Sequence, residues 1–484
     1  MDTLVRTAGA RPESGAAGAR ASDRRAMLAL FGLAAGIFLL LQSGSITVSD
    51  GRSMYETTRS IVEHGDLSVS PEVGVPGVGG VSVSRYGLGL PLVSIPAYLA
   101  AKPFASLAGA RADLITQAAV ASMMPIISAA LVVALFALSR RLGSSRAAAV
   151  MVSLGGVAGT YALPYTKSFF SEPLVALGIV IAIERAVARR WTGASLGLAL
   201  AVVTRPQMLA VLPLFAIVAL RRDGWRAARR AAPALACAVV VVAGHNLARF
   251  GDPLAFGYQD VTGFSTPVLE GLRGLLFGAR KSVFLFAPAM LLVPLGLARV
   301  WRAHRDAACL LVGTAIVTLV MSAAWFSWTG GWSWGPRLLL PAVLPLLAVL
   351  APLFDRGGAR RAALGIALAA GLAVSVPSMA VSARTQQLDG GGFQGPSIPR
   401  QYALVPPVAA YTLDHFSERA DGDARMFLDL WQVNVGGVLG GAGMAAALAG
   451  SAALAGACVI CARGLRRELT PISVSDGSSE NHEG

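Results

Sequence analysis

Five acidic side chains lie in one polar segment, residues 42–112, which follows the first apolar stretch of the chain. The segment holds Asp50, Glu56, Glu63, Asp66 and Glu72. A carboxylate beside apolar surface can have a raised pKa, and it can then accept a proton from a hydroxyl group near neutral pH. The segment therefore predicts chemistry at a membrane surface.

An arginine separates two short apolar pieces, residues 193–203 and 207–220. At about 1.5 Å per residue, each piece is shorter than the hydrocarbon core of a bilayer, which is about 30 Å thick. The junction reads Thr204-Arg205-Pro206-Gln207, and proline breaks a helix. We expect a hairpin that turns inside the membrane. Arg205 then contacts an anionic ligand or a water-filled cavity, or it pairs with a carboxylate or reaches an interface.

A second arginine lies in the motif Ser84-Arg85-Tyr86-Gly87, before an apolar run that ends near Ala105. Pro91, Pro96 and Pro103 make this run a poor continuous span. We expect one or more helices along the outer membrane face, with Arg85 at the level of the lipid headgroups. There its planar guanidinium could bind a phosphate through two hydrogen bonds, or it could simply anchor the helix to lipid.

Tryptophans are concentrated in a third segment, residues 325–337. Four of the eight tryptophans of the chain fall between Trp325 and Trp334, and Arg337 follows at the mouth of the next apolar stretch. Tryptophan is common at membrane interfaces, and its ring face also suits stacking on a sugar. Trp332 and Trp334 are therefore candidate cavity residues, although an interfacial belt explains most of this pattern.

The composition sets the class of protein that must position these groups. Of the 484 residues, 55% are hydrophobic and 14% are charged, and the mean hydropathy is +0.61. Such a chain is too apolar for a soluble domain. We predict an all-α polytopic membrane protein with about twelve membrane segments, among them the short broken hairpin. The predicted segments are residues 26–42, 113–138, 146–163, 172–188, 193–203, 207–220, 232–250, 282–300, 307–325, 337–354, 361–381 and 433–462.

The positions of the basic residues predict the orientation in the membrane. Most of them lie in alternate short loops and in the two ends of the chain, which is typical of cytoplasmic segments. These inner segments are residues 1–25, 139–146, 185–190, 221–231, 299–305, 356–361 and 463–467. The net charge of +14 then reflects topology and attraction to anionic lipid, and it does not indicate nucleic-acid binding.

The remaining segments complete the predicted organisation. Residues 1–25 and 468–484 lack apolar periodicity, so we expect two disordered cytoplasmic ends around one membrane domain, residues 26–467. Its outer loops are predicted at about residues 43–112, 251–281, 326–336 and 382–430. The four cysteines lie in apolar stretches, which favours packing over a redox pair. We expect no metal site and no cofactor.

Together these motifs resemble the GT-C superfamily of polytopic glycosyltransferases, in particular the branch with protein O-mannosyltransferases and lipid A aminoarabinose transferases. The resemblance covers most of the chain in the order of its spans. It rests on Asp50 with Tyr55, on Ser84-Arg85-Tyr86-Gly87, and on Thr204-Arg205-Pro206. Further matching motifs are Phe169-Phe170-Ser171-Glu172-Pro173, Phe250-Gly251-Asp252-Pro253-Leu254, Gly271-Leu272-Arg273-Gly274-Leu275-Leu276-Phe277 and Trp332-Ser333-Trp334-Gly335-Pro336-Arg337.

The resemblance implies transfer of a hexosyl or pentosyl group from a polyprenyl-phosphate carrier to a glycan, lipid or protein acceptor. The active site would face outward from the cytoplasmic membrane. A single displacement, with Asp50 as the base, would invert the anomeric centre. Arg85, Arg205 and Arg337 are the predicted phosphate-binding residues, because guanidinium groups stabilise the leaving phosphate. The candidates for acceptor binding or cavity lining are Tyr55, Tyr86, Glu172, His245, Asn246, Trp332 and Trp334. For His245 and Asn246, hydrogen bonds between helices are an equally good explanation.

Two other classes of protein remain open at this stage. A transporter of a lipid-linked or anionic solute would also have broken helices and a membrane-embedded arginine. We find no repeat in the span lengths or the motifs, and the carboxylates are concentrated in the outer loops, which disfavours ion coupling. A non-catalytic scaffold would not need basic residues that converge on Asp50.

The charge pattern predicts that both ends of the chain are cytoplasmic and that the loops with Asp50, Glu172, Trp332 and Arg400 face outward. Single cysteines at Ser70 and Gln394, in a variant without the four native cysteines, should react with a membrane-impermeant thiol reagent in intact cells. A cysteine at Arg226 is the matched control and should stay unlabelled. Labelling at Arg226 with protection at Ser70 would reverse the topology.

Overall fold

The computed structural model describes residues 12–258, 263–278, 281–331, 333–380 and 430–470, and this part of the chain is almost entirely helical. The α-helices are α1 (Pro12–Leu40), α2 (Ser49–Glu63), α3 (Gly89–Leu107), α4 (Ala112–Ala121), α5 (Met123–Arg141), α6 (Arg146–Ala158), α7 (Glu172–Val187), α8 (Trp191–Thr204), α9 (Leu212–Phe250), α10 (Val268–Phe277), α11 (Val283–Phe286), α12 (Val293–Ala303), α13 (Arg305–Ala324), α14 (Leu340–Leu347), α15 (Ala351–Phe354), α16 (Gly358–Ser375), α17 (Pro377–Ala380) and α18 (Trp431–Leu469).

Short elements join these helices. The 3₁₀ helices are Val78–Gly80, Gly109–Arg111, Leu163–Thr166, Pro206–Val211, Pro288–Leu292, Arg337–Leu339 and Ala348–Leu350. The two strands, β1 (Val75–Pro76) and β2 (Ser82–Val83), pair antiparallel with Val75 opposite Val83. This small hairpin lies between α2 and α3, in the predicted outer segment.

Seven helical stretches of the described chain are long and apolar enough to cross a membrane. They are Gly89–Leu107, Gly109–Arg141, Pro206–Phe250, Arg305–Ala324, Arg337–Phe354, Gly358–Ser375 and Gly440–Leu469. The all-α membrane fold is therefore confirmed, whereas the count of about twelve segments is not. One reason is that prolines interrupt predicted spans. The stretch 282–300 forms α11, a 3₁₀ helix that begins at Pro288, and α12.

The predicted hairpin breaks where the sequence indicates, but its second half differs from the prediction. Helix α8 ends at Thr204, Arg205 is extended (φ −143°, ψ 103°), and Pro206 begins a 3₁₀ helix. Helix α9 then continues through the predicted inner loop, residues 221–231, to Phe250. Its only non-helical residue is Gly224, with φ 56° and ψ −147°. The stretches 207–220 and 232–250 are thus one bent element, because alanine and arginine favour helix in the loop between them.

Two further expectations need correction. Helix α3 is continuous, since Pro96 and Pro103 both lie on its exposed face and leave the buried face undisturbed. Helix α1 begins at Pro12, so residues 12–25 are helical although we expected disorder. In the middle of this helix, Asp23 pairs with Arg140 and Arg146, and Arg25 Nε lies 2.6 Å from Glu468 Oε1. Residues 1–11, residues 381–429, which include most of the predicted loop 382–430, and residues 471–484 lie outside the described chain.

Helix α7 forms the centre of the bundle and is buried along most of its length. It packs against α5, α8 and α14, while α1 packs against α5 and α18. The backbones of α7 and α8 meet at two glycines. A Cβ on Gly178 would lie 2.6 Å from the carbonyl oxygen of Gly197, and the reverse distance is also 2.6 Å. This close approach brings the start of α7 beside the end of α8.

The glycine contact predicts a position-dependent effect of one added methyl group. Gly178→Ala should lower the unfolding temperature in detergent, because overpacking costs about 1–3 kcal/mol. Gly365→Ala in α16 is the matched control, since its Cβ would have no atom within 4 Å. That change should be neutral or stabilising by up to about 1 kcal/mol, from helix propensity alone. Equal unfolding temperatures for the two variants would contradict this packing.

Candidate functional site

Glu172 is the buried acid around which the site is built. It is the first residue of α7, and its side chain is only 1% exposed. Arg205, in the extended residue after α8, places Nη2 2.7 Å from Glu172 Oε1 and donates from Nε to Ser171 Oγ at 2.9 Å. Arg205 therefore forms an ion pair with a carboxylate, which is one of the alternatives predicted for it from the sequence. The break at Pro206 positions this arginine, because it ends α8 beside the start of α7.

Arg337 joins Glu172 to Asp50. Its Nη2 donates to Asp50 Oδ2 at 2.8 Å, and its Nε lies 3.5 Å from Glu172 Oε1. The guanidinium also stacks over the ring of Phe170, 4.4 Å from the centroid. A planar group with donors on two edges can bridge two carboxylates in this way. One arginine thus connects the first turn of α2 to the first turn of α7.

The loop before Arg337 is shaped by a lysine and a tyrosine. Lys281 Nζ donates to the carbonyl oxygens of Ser333 (2.6 Å) and Gly335 (3.1 Å). Tyr165 donates to the carbonyl oxygen of Trp334 at 2.7 Å. These backbone contacts fix the residues that lead into the 3₁₀ helix at Arg337. The sequence reading did not single out Lys281 or Tyr165.

Asp50 is ionised, and its environment differs from our expectation. Burial raises the pKa of this carboxyl, but the charge of Arg337 and hydrogen bonds from Tyr86 and Arg337 outweigh burial. The pKa therefore lies below its ordinary value, whereas we expected it to be raised. Burial and the charge of Asp50 hold the pKa of Tyr86 well above that of a free phenol. Asp50 is thus a charged acceptor, and Tyr86 is a neutral donor beside it.

A cavity of about 370 Å³ opens beside this network. Arg85, Arg205 and Arg249 contribute to its wall, together with Tyr86 and Glu172. The rest of the wall is largely apolar and aromatic and includes Phe256, Tyr258, Phe264, Met321 and Trp325. The Arg85 guanidinium lies 5.3 Å from the centroid of the Tyr258 ring, which meets Trp325 edge to face at 4.9 Å. The cavity therefore combines guanidinium groups with a largely apolar and aromatic wall.

The chain resembles known proteins in its structure. No protein-family model and no curated protein matches the chain. The structure of ArnT from Cupriavidus metallidurans bound to undecaprenyl phosphate matches 92% of this chain and 73% of its own, with a TM-score of 0.51 and 14% identity. ArnT, a lipid A aminoarabinose transferase, is a GT-C protein. The chain has a GT-C fold.

Two other matches have lower TM-scores. The apo state of the same ArnT has a TM-score of 0.49 at 13% identity, covering 94% of this chain and 74% of its own. The archaeal oligosaccharyltransferase AglB from Archaeoglobus fulgidus, in complex with an inhibitory peptide and a dolichol-phosphate, has a TM-score of 0.43 at 12% identity. That match covers 83% of this chain and 60% of AglB.

Within this GT-C fold, the three predicted phosphate-binding arginines do not occupy equivalent places. Arg85 and Arg205 line the cavity, whereas Arg337 lies behind Glu172 and is held between the two carboxylates. Arg249, which the sequence reading missed, lines the cavity as well. Its sequence signal is a lone arginine just before the motif Phe250-Gly251-Asp252-Pro253-Leu254, at the end of an apolar stretch.

Several predicted cavity residues lie elsewhere. Tyr55 points towards α4, where its hydroxyl is 2.7 Å from both Asp113 Oδ1 and Thr116 Oγ1. His245 and Asn246 are buried in α9, and Asn246 donates to the carbonyl oxygen of Pro253 at 3.0 Å. Trp334 packs its ring against Phe286 outside the cavity lining. Trp332 lies outside the described residues. Tyr55 thus contacts α4, Trp334 packs against α11, and Asn246 contacts the turn after its own helix, so none of these three side chains lines the cavity.

Helix α7 offers a test of this network, because both of its ends carry a glutamate between two arginines. Glu172→Gln leaves Arg205 and Arg337 with less counter-charge in a buried place, so the variant should lose about 3 kcal/mol of stability. Glu184→Gln is the matched control. Glu184 pairs with Arg141 and Arg185, whose side chains are 42% and 41% exposed, so we expect a loss below about 1 kcal/mol. Unfolding in detergent compares the two, and equal losses would contradict a buried network at Glu172.

Proposed function

We propose that this protein is a glycosyltransferase that moves a sugar from a polyprenyl-phosphate carrier to a hydroxyl acceptor. The proposed site is the cavity beside Asp50, on the outer face of the cytoplasmic membrane. The single observation that carries the proposal is a cavity in which arginines meet a largely apolar wall, next to the network that joins Glu172, Arg337 and Asp50. A lipid phosphate needs both kinds of surface at once, because its headgroup is charged and its chain is apolar.

A lipid phosphate is also the ligand of a structure with the same fold. The first matching structure, with a TM-score above 0.5, is an ArnT described as bound to undecaprenyl phosphate. At 14% identity the likeness concerns the fold, so the donor of this chain is inferred from its own cavity. Arg85 and Arg205 would contact the phosphate, and Phe256, Phe264 and Met321 would pack against the first units of the lipid.

The chemistry would be one displacement at the anomeric carbon. The acceptor oxygen forms a bond to that carbon, the bond from the carbon to the phosphate oxygen breaks, and its electron pair leaves with the polyprenyl phosphate. The acceptor proton goes to Asp50. Negative charge grows on the leaving oxygen, so the guanidinium groups of Arg85 and Arg205 stabilise the transition state more than the ground state. A single displacement would invert the anomeric centre.

Asp50 is a weak base in its ground state because its pKa is lowered. It is nevertheless ready to accept a proton, since it is already ionised near neutral pH, and Tyr86 and Arg337 fix its orientation. Positioned proton transfer of this kind contributes typically about 10²–10⁴-fold to a rate. For Arg337 we therefore propose a different role from the predicted contact with phosphate. It would hold Asp50 and Glu172 in place.

The base hypothesis makes a direct prediction for Asp50→Asn. The variant should lose at least about 10²-fold in transfer rate, because the amide cannot accept the acceptor proton. It should still bind undecaprenyl phosphate, since Arg85 and Arg205 are unchanged. Purified protein with a panel of polyprenyl-phosphate hexoses and pentoses provides the assay, and ligand-induced shifts of the unfolding temperature report binding.

Glu172→Gln is the comparison for this assay and should be milder than Asp50→Asn where it remains folded. An Asp50→Asn variant within a few-fold of wild type would remove Asp50 from the role of base. Wild-type protein that carries a lipid phosphate or another anion across a vesicle membrane, with no sugar transfer, would favour the transporter instead.

A further inference from the structure

We propose that Arg249 is a positioning residue: it clamps the backbone of Ser84–Tyr86 so that Arg85 faces the cavity and Tyr86 reaches Asp50. Arg249 lies in the last turn of α9 and is 3% exposed. The consequence for lipid-phosphate binding rests on the function proposed above. The clamp itself is a property of the fold and can be measured without any ligand.

Arg249 contacts backbone carbonyl oxygens, a side-chain amide and an aromatic ring. Nη1 donates to the carbonyl oxygen of Ser84 and, at 3.1 Å, to that of Tyr86. Nη2 donates to Asn246 Oδ1 at 2.8 Å, and the guanidinium stacks on Phe250 at 4.6 Å. None of these partners carries a negative charge. The arrangement uses the directed donors of the guanidinium, which the ammonium group of lysine cannot reproduce.

The clamped segment is also supported from its other side, by the end of α8. Residues 87–89 lie against the end of α8, where two glycines allow the backbones to approach. A Cβ on Gly87 would lie 2.5 Å from the carbonyl oxygen of Thr204, and one on Gly89 would overlap Thr204 Oγ1. Arg249 holds the segment from α9, and Thr204 supports it from α8. Because Arg205 follows Thr204 directly, the same contact sets Arg85 and Arg205 on one cavity wall.

The motif after Arg249 forms a turn that is held by side-chain hydrogen bonds. Gly251 has φ 72° and ends α9 with a left-handed residue. Asp252 Oδ1 accepts from the backbone nitrogen of Leu254 at 2.8 Å, and Asn246 Nδ2 donates to the carbonyl oxygen of Pro253 at 3.0 Å. Asn246 therefore ties the turn to the helix with its amide nitrogen and orients Arg249 with its amide oxygen. The turn after Phe250 thus supports the clamp.

The clamp is tested first without ligand, by hydrogen exchange of the backbone amides. Arg249→Met keeps most of the side-chain length but removes the donors. We expect faster exchange in peptides that cover residues 84–89, with no change in α5. Arg141→Met is the matched control, because Arg141 pairs with Glu184 at the other end of α7. Unchanged exchange at residues 84–89 in Arg249→Met would overturn the proposal.

Binding of undecaprenyl phosphate then tests the consequence. Arg249→Met and Arg85→Met should each weaken binding by about tenfold or more, the size expected for loss of a charge-assisted hydrogen bond. The double variant should be little weaker than either single variant, since Arg249 acts through Arg85. Fully additive losses would overturn this route of action. Arg141→Met should bind like wild type.

Two milder variants keep the test decisive if Arg249→Met does not fold. Arg249→Lys keeps the charge but loses the directed donors, and Asn246→Ala removes the acceptor that orients Nη2. Both should show a smaller loosening of residues 84–89 in the same direction, and a rigid segment in both would overturn the clamp. If wild-type protein binds no undecaprenyl phosphate while Arg249→Met still loosens the segment, the clamp is supported and the proposed donor is wrong.

Discussion

The guanidinium of Arg337, set between Asp50 and Glu172, is the interaction on which the rest of the site depends. It bridges the first turns of α2 and α7, and Glu172 carries the connection to Arg205 after α8. A charge in this setting needs a partner, because an unpaired buried ion costs several kcal/mol. The charges therefore fix the relative places of segments that lie far apart in the sequence.

The local structure around the network fits this constraint. Asp50 and Glu172 both lie in the first turn of a helix, where the helix dipole favours negative charge. Arg205 is an extended residue between α8 and a 3₁₀ helix, and Arg337 begins another 3₁₀ helix. Helix breaks thus place the cations, and helix starts place the anions. The cavity lies beside them, and Glu172 and Arg205 both contribute to its wall.

The two ends of α7 show how burial separates a site from a surface ion pair. Both ends carry a glutamate with two arginines, but the Glu184 partners are about half exposed, whereas the side chains of Arg205 and Arg337 are 16% and 11% exposed. Water screens the first set, so it contributes little to stability. At Glu172 the charges act on one another and on the neighbouring cavity. The proposed chemistry needs this preorganised field.

The sequence by itself determined the class of the protein and the local breaks. Composition required apolar helices, and Pro206 required an interruption beside Arg205, because hydropathy and proline act within one segment. Only the tertiary structure decided which polar groups meet. Tyr55 faces α4, Asn246 contacts the turn after its own helix, Arg337 is enclosed by two carboxylates, and Arg249 reaches a backbone segment more than 160 residues away. Such contacts depend on how the helices pack and on their rotation about their own axes. When a helix is apolar on every side, its hydrophobic periodicity does not indicate which face contacts which neighbour.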